Sequence, residues 1–283
     1  MHNLSENSET PYISQLWIYP IKSCSGISVS TMEFDAKGPL LDRRWMLVDA
    51  DTGKFLSQRN IPRMTLISIE VIDDQVVAKQ SINQAVDTEY TLPNSGDLID
   101  VTVWSDEVKG YDCGDEAAFW FSHLLDHDCR LVYQGDCSRV ADEEYAEKGT
   151  EVSFSDGFPL LVVAQSSIDM LNNSCPDADI TANNFRPNIV VENTAAFSEI
   201  NWLTMSTKTL DMKVVKPCQR CVIPTINPKT AQREKSILTV LLEYCARDKK
   251  IYFGQNLTFS NADESILRLR DVVRIDSKIK KIS

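Results

Sequence analysis

Apolar positions along the chain recur mostly with the period of two that marks strands, and in three stretches with the wider spacing of a helix. Ile13 to Tyr19 is rich in strand formers and is stopped by Pro20. Trp45 to Val48 and Lys54 to Gln58 flank Asp49-Ala50-Asp51-Thr52-Gly53, which predicts a hairpin because glycine accepts the positive φ of a tight turn. Thr65 to Ile72 and Gln75 to Lys79, on either side of Asp73-Asp74, predict a second hairpin. Ile99, Val101 and Val103 alternate through Leu98 to Trp104, another strand. Gly114-Asp115 reads as a helix start, since Ala118, Phe121, Leu124 and Leu125 fall on one face of the succeeding segment. Arg130 to Tyr133 is again a strand.

A polar, charged stretch from Asp136 to Glu151 has no apolar period and is the best candidate boundary. It divides the chain into a β-rich region, 11–135, and a second region, 136–283. The second region opens with Leu160 to Ala164, a continuous apolar run of buried-strand length. A short helix follows near Ser166-Ser167, because serine caps well and Ile168 and Leu171 are spaced i,i+3. Ile189 to Val191, Met212 to Val215 and Ile251 to Phe253 read as strands. Ser236 to Arg247 reads as a helix with Ile237, Val240, Leu241 and Tyr244 on one stripe, and Leu269 to Ile275 as a closing strand. Many short strands with few helices predict an α+β, predominantly β, fold: barrel- or sandwich-like cores decorated by helices.

Charge narrows the function. Lys plus Arg number 29 and Asp plus Glu 41, a net −12 in 283 residues. Such a chain lacks the basic field that nucleic acid or an anionic membrane surface would select, so neither is expected as a partner. Met1 to Pro11 is polar, without the apolar run of a signal peptide, and no stretch approaches the roughly 20 apolar residues of a membrane helix. A soluble, cytoplasmic protein is expected. Its eight cysteines are then read as thiols rather than a disulfide framework. With three histidines, none near the densest motif, a His-rich metal site is disfavoured; His123 and His127, spaced i,i+4, read as surface or core positions.

The densest motif is Lys216-Pro217-Cys218-Gln219-Arg220-Cys221-Val222-Ile223-Pro224-Thr225. A structural zinc site needs about four ligands, and no second Cys or His pair stands at suitable spacing. A thioredoxin-like dithiol needs a helix running on from the first cysteine, which Pro224 interrupts. A single working thiolate remains, with Arg220 and Lys216 near enough to lower a thiol pKa and a sulfur suited to a soft metal. These residues alone leave open the plainer alternative of two buried structural cysteines. Other basic residues stand in distinctive contexts: Lys22 in Tyr19-Pro20-Ile21-Lys22-Ser23-Cys24-Ser25-Gly26, Arg43 and Arg44 ahead of Trp45, and Arg186 in Asn184-Phe185-Arg186-Pro187-Asn188. Arginine suits phosphate through its planar fork, and Pro187 predicts an extended Arg186. Ser155-Asp156-Gly157-Phe158-Pro159 is a turn where glycine lets backbone approach a ligand, and Phe253-Gly254-Gln255-Asn256 ends a strand with two amides. Taken singly, each also reads as a surface ion pair or a plain loop.

Taken in order, Tyr-Pro-Ile-Lys-Ser-Cys, Asp-Arg-Arg-Trp, Ser-Asp-Gly-Phe-Pro-Leu, Asn-Phe-Arg-Pro-Asn, Cys-Gln-Arg-Cys and Phe-Gly-Gln-Asn resemble the two-part MOSC proteins, from about Tyr12 to Ile275. That family includes the mitochondrial amidoxime-reducing components and bacterial reductases of N-hydroxylated bases. The resemblance implies an N-terminal MOSC β-barrel region and a C-terminal MOSC β-barrel with flanking helices. It also implies a molybdenum cofactor, molybdenum on a phosphate-bearing molybdopterin. By motif position Cys221 is the metal ligand and catalytic residue, with Cys218 beside it and unbound. Lys22, Ser23 and Arg43 match positions that hold the cofactor's anionic end. Arg186, Asn188, Gln219 and Arg220 match further cofactor positions. Gly157 and Phe158 stand where relatives often carry Thr-Ser, leaving backbone contacts only, and Asn256 stands where the mitochondrial relatives carry Tyr.

The implied activity is reduction of N-hydroxylated bases or amidoximes, with Asp156 a candidate for proton delivery. The chain has no ferredoxin-type Cys-x4-Cys-x2-Cys, so electrons are expected from a separate ferredoxin-like protein or reductase. The alternative is a molybdenum-cofactor or sulfur carrier without its own turnover; no aminotransferase-like desulfurase domain fits in this length.

Overall fold

The computed structural model describes residues 10–80, 87–260 and 265–278. Its largest sheet has nine strands, eight of them in the order Arg274–Ser277, Trp202–Ser206, Asp211–Arg220, Lys250–Ser260, Leu160–Ala164, Ile189–Glu192, Tyr12–Ile18 and Ile27–Val29. Leu160–Ala164 lies inside it with all five residues buried, which is why it reads as an unbroken apolar run. It pairs parallel with Ile189–Glu192, and a parallel pair needs a crossover; here the crossover carries the helices Gln165–Asn173 and Ala182–Phe185. Every other pairing in this sheet is antiparallel.

A four-stranded antiparallel sheet runs Trp45–Asp49, Cys129–Tyr133, Asp106–Asp112, Asp97–Val103. The helix Asp115–Leu125 covers part of it, burying Ala117, Trp120, Phe121, Leu124 and Leu125 against Trp45, Leu47 and Leu131. Two three-stranded sheets complete the strands. The fold is α+β and predominantly β, with four α-helices among the described residues.

The first strand, Tyr12–Ile18, pairs with Ile189–Glu192, and Thr31–Asp35 pairs with Ile266–Arg268. Ile13, Leu16, Met32 and Phe34 accordingly share one apolar core with Leu160, Val162 and Leu257. The polar stretch from Asp136 to Glu151 is irregular apart from a bridge between Val140 and Glu151.

The Asp73-Asp74 hairpin forms with both residues at positive φ, 49° and 63°. Its first arm begins only at Ser68, because Pro62 starts a 3-10 turn through Leu66. The Lys54–Gln58 arm shrinks to two bridges: Phe55 pairs with Val48, while Lys54 turns to Thr102. The helix read from Ser166-Ser167 starts at Gln165 after Ala164, with no side-chain cap; Ser167 is spent inward on Glu199. In the last helix, Lys235–Cys245, the buried stripe ends on Cys245, and Tyr244 is exposed. The closing strand splits into Ile266–Arg268 and Arg274–Ser277, because Arg270 takes φ 72° in a turn held by Arg268 N–H on Asp271. Met212–Val215 and Ile251–Phe253 belong to strands of ten and eleven residues whose ends are polar or half-buried and hide the period. The polar leader Met1 to Glu9 lies outside the described residues.

Candidate functional site

Strand ends and loops from distant parts of the chain meet around one pocket of about 840 Å³, counting its open mouth. Lys22 and Ser23 follow the first strand, and Arg43 precedes Trp45. Asp156, Gly157 and Phe158 lead into Leu160–Ala164, and Arg186 and Asn188 lead into Ile189–Glu192. Gln219, Arg220 and Cys221 end Asp211–Arg220, and Asn256 lies on the strand beside it. All twelve residues given a catalytic, metal or cofactor role from sequence line this pocket.

Backbone geometry aims these groups. Ser23 and Arg43 take positive φ, 71° and 50°, conformations uncommon for residues with a side chain. Arg186 also has positive φ, 56°, capping the Ala182–Phe185 helix; this corrects the extended conformation expected ahead of Pro187. The left-handed cap ends the helix without the right-handed conformation that proline opposes, and a hydrogen bond of 2.6 Å from Arg186 to the Cys24 carbonyl holds it.

Two irregularities of the Asp211–Arg220 strand against Lys250–Ser260 fall between Val214 and Lys216 and between Pro217 and Gln219. A bulge re-aims side chains, and here it sets the stretch carrying both cysteines at the pocket. Opposite it, Gly254 has φ 74°, and a Cβ there would meet the Val162 carbonyl at 2.8 Å and the Val163 side chain at 2.7 Å. Glycine at 254 is what lets the Leu160–Ala164 strand pack so closely.

Five basic side chains, Lys22, Arg43, Arg59, Arg186 and Arg220, line the pocket against one carboxylate, Asp156. The Tyr19 ring lies 4.3 Å from the Arg43 guanidinium and 4.2 Å from that of Arg186. Burial, and then Arg43, pull the Arg186 pKa down to about 10. Burial likewise lowers Lys22 to about 8, despite hydrogen bonds to Asp156 at 2.5 Å and the Phe154 carbonyl at 2.8 Å. Like charges held this close, at a cost in desolvation, suit the pocket to an anion. Arg220 donates to the carbonyls of Phe253 and Phe185, and its buried Nη2 has no partner among the described residues. Gly157 has open space where a Cβ would stand, so its backbone is reachable from the pocket.

Burial would raise the Asp156 pKa, but the Lys22 ammonium outweighs it and holds the carboxyl well below the usual carboxylate range. Its environment therefore keeps it ionised on Lys22 as a hydrogen-bond acceptor, a state that does not favour the expected proton delivery. Asn188 is spent within the protein: its oxygen accepts from Arg43 and from Leu161 N–H, and its amide donates to the Trp17 carbonyl. It steers Arg43 through that bond. Asn256 donates to the Lys216 carbonyl at 3.2 Å. Phe158 points its ring into a small core with Ala141 and Val152.

All eight cysteines are free thiols. Cys221 is exposed and Cys218 half-buried, which removes the alternative of two buried structural cysteines. The positive flank was expected to lower a thiol pKa; at Cys218 burial wins over Arg220 and raises it. Lys216 is turned to Asp142 and to the Tyr145 ring. Arg44 is not in the pocket; it is buried on Asp35 and the Pro39 carbonyl. His127 pairs with Asp49, away from the site. No group of three or more His, Cys, Asp or Glu is arranged to hold a metal among the described residues.

Sequence reasoning missed Arg59 and Phe55, which line the pocket, and Arg139, which holds its floor. Arg139, buried, donates to the carbonyls of Ser153, Ser155 and Asp156 and to the Asp106 carboxylate. It comes from the stretch read as a boundary, and nothing in its sequence neighbourhood marks it.

Residues 10–128 match the family model of the MOSC N-terminal beta barrel domain, and residues 149–279 that of the MOSC domain. Mitochondrial amidoxime-reducing component 1 of Mus musculus is 33% identical over 256 residues, spanning 86% of this chain and 74% of its own. Mitochondrial amidoxime reducing component 2 of Bos taurus is 34% identical over 227 residues, and that of Homo sapiens 33% over 232; each alignment spans 77% of this chain and 67% of the relative.

Proposed function

We propose that this chain, which belongs to the MOSC family, is a molybdenum-cofactor-dependent reductase of N-hydroxylated compounds, supplied with electrons by a separate protein. The observation that carries the reading is one exposed thiol, Cys221, on the rim of a pocket lined by five cations in a chain of net charge −12. A phosphate-bearing, sulfur-ligated metal group fits these residues. The partnerless Arg220 Nη2, the crowded Arg43 and Arg186 and the open cradle at Gly157 are each relieved or filled by an anion. The names of the relatives, amidoxime-reducing components, support the reaction class.

In this reading Cys221 supplies the metal's protein ligand, and a soft thiolate is the donor such a metal selects. Lys22, Ser23, Arg43 and Arg186 hold the anionic end. Gln219 and Arg220 flank the sulfur, and Gly157 offers backbone N–H. When bound, the cofactor supplies two-electron removal of oxygen from an N–OH group, two protons being consumed and water released. Asp156 keeps Lys22 in place and, ionised, can accept a hydrogen bond from a substrate N–H. We place the protein in the cytoplasm, where its free thiols persist.

Protein purified from a molybdenum-cofactor-competent host and assayed with reduced methyl viologen is expected to convert benzamidoxime to benzamidine. A molybdenum-loaded sample that reduces no N-hydroxylated compound would make the chain a cofactor carrier instead.

A further inference from the structure

Beyond the pocket, a wider groove of about 2090 Å³, counting its open side, continues past Cys218 and Cys221 and is lined by Arg59, Trp104, Asp156 and Arg139. Trp104 is the unusual residue of that groove. It is the first residue of the two-residue turn between the paired Val103 and Asp106, and its φ is 60°. Such a turn favours Gly, Asn or Asp, and a bulky residue held at positive φ is strained. The residue also stays 47% exposed, so burial does not offset the strain.

The surroundings hold this indole in place. The Arg59 guanidinium lies 4.4 Å from its ring, and the Phe55 ring, tilted, has its centroid 5.1 Å away. Arg59 is itself tied down, its Nη1 on Ser57 and its carbonyl accepting from Arg233. The indole N–H donates to Asp156 Oδ1 at 3.3 Å, and the Asp156 side chain remains 70% exposed at the groove. A flat aromatic face thus stands beside an open carboxylate at the mouth of the pocket holding the exposed Cys221 thiol. Planar, nitrogen-rich groups are what this pair of features takes: the face stacks the plane, and the carboxylate accepts from its N–H groups.

We propose that Trp104, backed by Arg59 and neighboured by Asp156, is the platform for the planar nitrogen-bearing part of the substrate, an amidoxime or an N-hydroxylated heteroaromatic base, in preference to a saturated hydroxylamine. This rests on the reductase reading above, and the strain at Trp104 gives it a distinctive test. Trp104→Gly removes the stack but gives the turn the residue its backbone prefers, so the fold is retained; Trp104→Phe keeps an aromatic face.

Binding of benzamidine, the planar product of benzamidoxime reduction, and of saturated cyclohexylamine is measured by calorimetry on the whole cofactor-loaded protein. Base-on-aromatic stacking is worth roughly 1–3 kcal/mol, so Trp104→Gly is expected to weaken benzamidine about tenfold. Trp104→Phe should stay within about threefold of the wild type, cyclohexylamine should bind more weakly than benzamidine, and the thermal midpoint of Trp104→Gly should not fall. Unchanged benzamidine affinity in Trp104→Gly, or equal affinity for the two ligands in the wild type, overturns the platform. Failure of the reductase reading looks different: the wild type turns over no N-hydroxylated compound while the Trp104-dependent preference for benzamidine persists.

Discussion

Glu199, in the 3-10 turn Ser198–Asn201, is a carboxylic acid sealed in the fold, 2% exposed, with its side chain against Ser167 in the first turn of the Gln165–Asn173 helix. Ser167 donates to its Oε2 at 2.9 Å, while the buried Oε1 has no partner among the described residues. A helix N-terminus favours an anion, yet burial is the larger effect here and raises the pKa from 4.5 to about 7, against hydrogen bonds from Ser167 and the backbone. The raised value fixes the sign. Below pH 4.5 the group is neutral in both folded and unfolded chains and its contribution is fully present; as pH rises toward 7 the unfolded chain ionises first and stability is lost. A rise of about 2.5 units at 1.36 kcal/mol each predicts a loss of about 3 kcal/mol between pH 4 and pH 8. Glu199→Gln keeps the shape and an acceptor for Ser167 but cannot ionise. Urea unfolding followed by tryptophan fluorescence should show the variant close to the wild type near pH 4 and about 3 kcal/mol more stable at pH 8. A difference between the two proteins that does not change with pH would refute the reasoning.

Other changes test how the pocket is built. Gly254→Ala places a Cβ against the Val162 carbonyl at a φ of 74°, and thermal or urea unfolding should report a loss of about 2–4 kcal/mol. Arg139→Met leaves the Ser153 and Ser155 carbonyls without their buried donor and should cost about 2–4 kcal/mol in urea unfolding. Because Arg139 also holds the backbone ahead of Gly157, hydrogen exchange in 153–157 should accelerate more than in Asp115–Leu125.

Regular periodicity made most elements readable: Leu160 to Ala164 is buried throughout, and the Asp73-Asp74 turn has the backbone its residues favour. The long strands Asp211–Arg220 and Lys250–Ser260 were hidden because bulges and Gly254 interrupt the alternation where the site is built. Trp202–Ser206 was missed because its apolar residues, Trp202, Leu203 and Met205, do not alternate with period two, Leu203 facing solvent. The pocket residues were legible only as a set: Lys22, Arg43, Arg186 and Cys221 have short motifs around them, and their order supplied what no single motif did. Arg59, Trp104 and Arg139 were not legible, since their roles come from strands and loops brought together by pairings far apart in sequence. Arg186 shows the reverse, a correct position with a wrong conformation, because a local proline rule yielded to a helix cap and a long-range bond to Cys24.

Cys221, and not its neighbour Cys218, is proposed to ligate molybdenum in a pocket charged for an anion. Metal analysis of protein from a cofactor-competent host should find about one molybdenum per chain in the wild type and in Cys218→Ser, and almost none in Cys221→Ser. Equal molybdenum in Cys221→Ser and the wild type, or none in either, would contradict it.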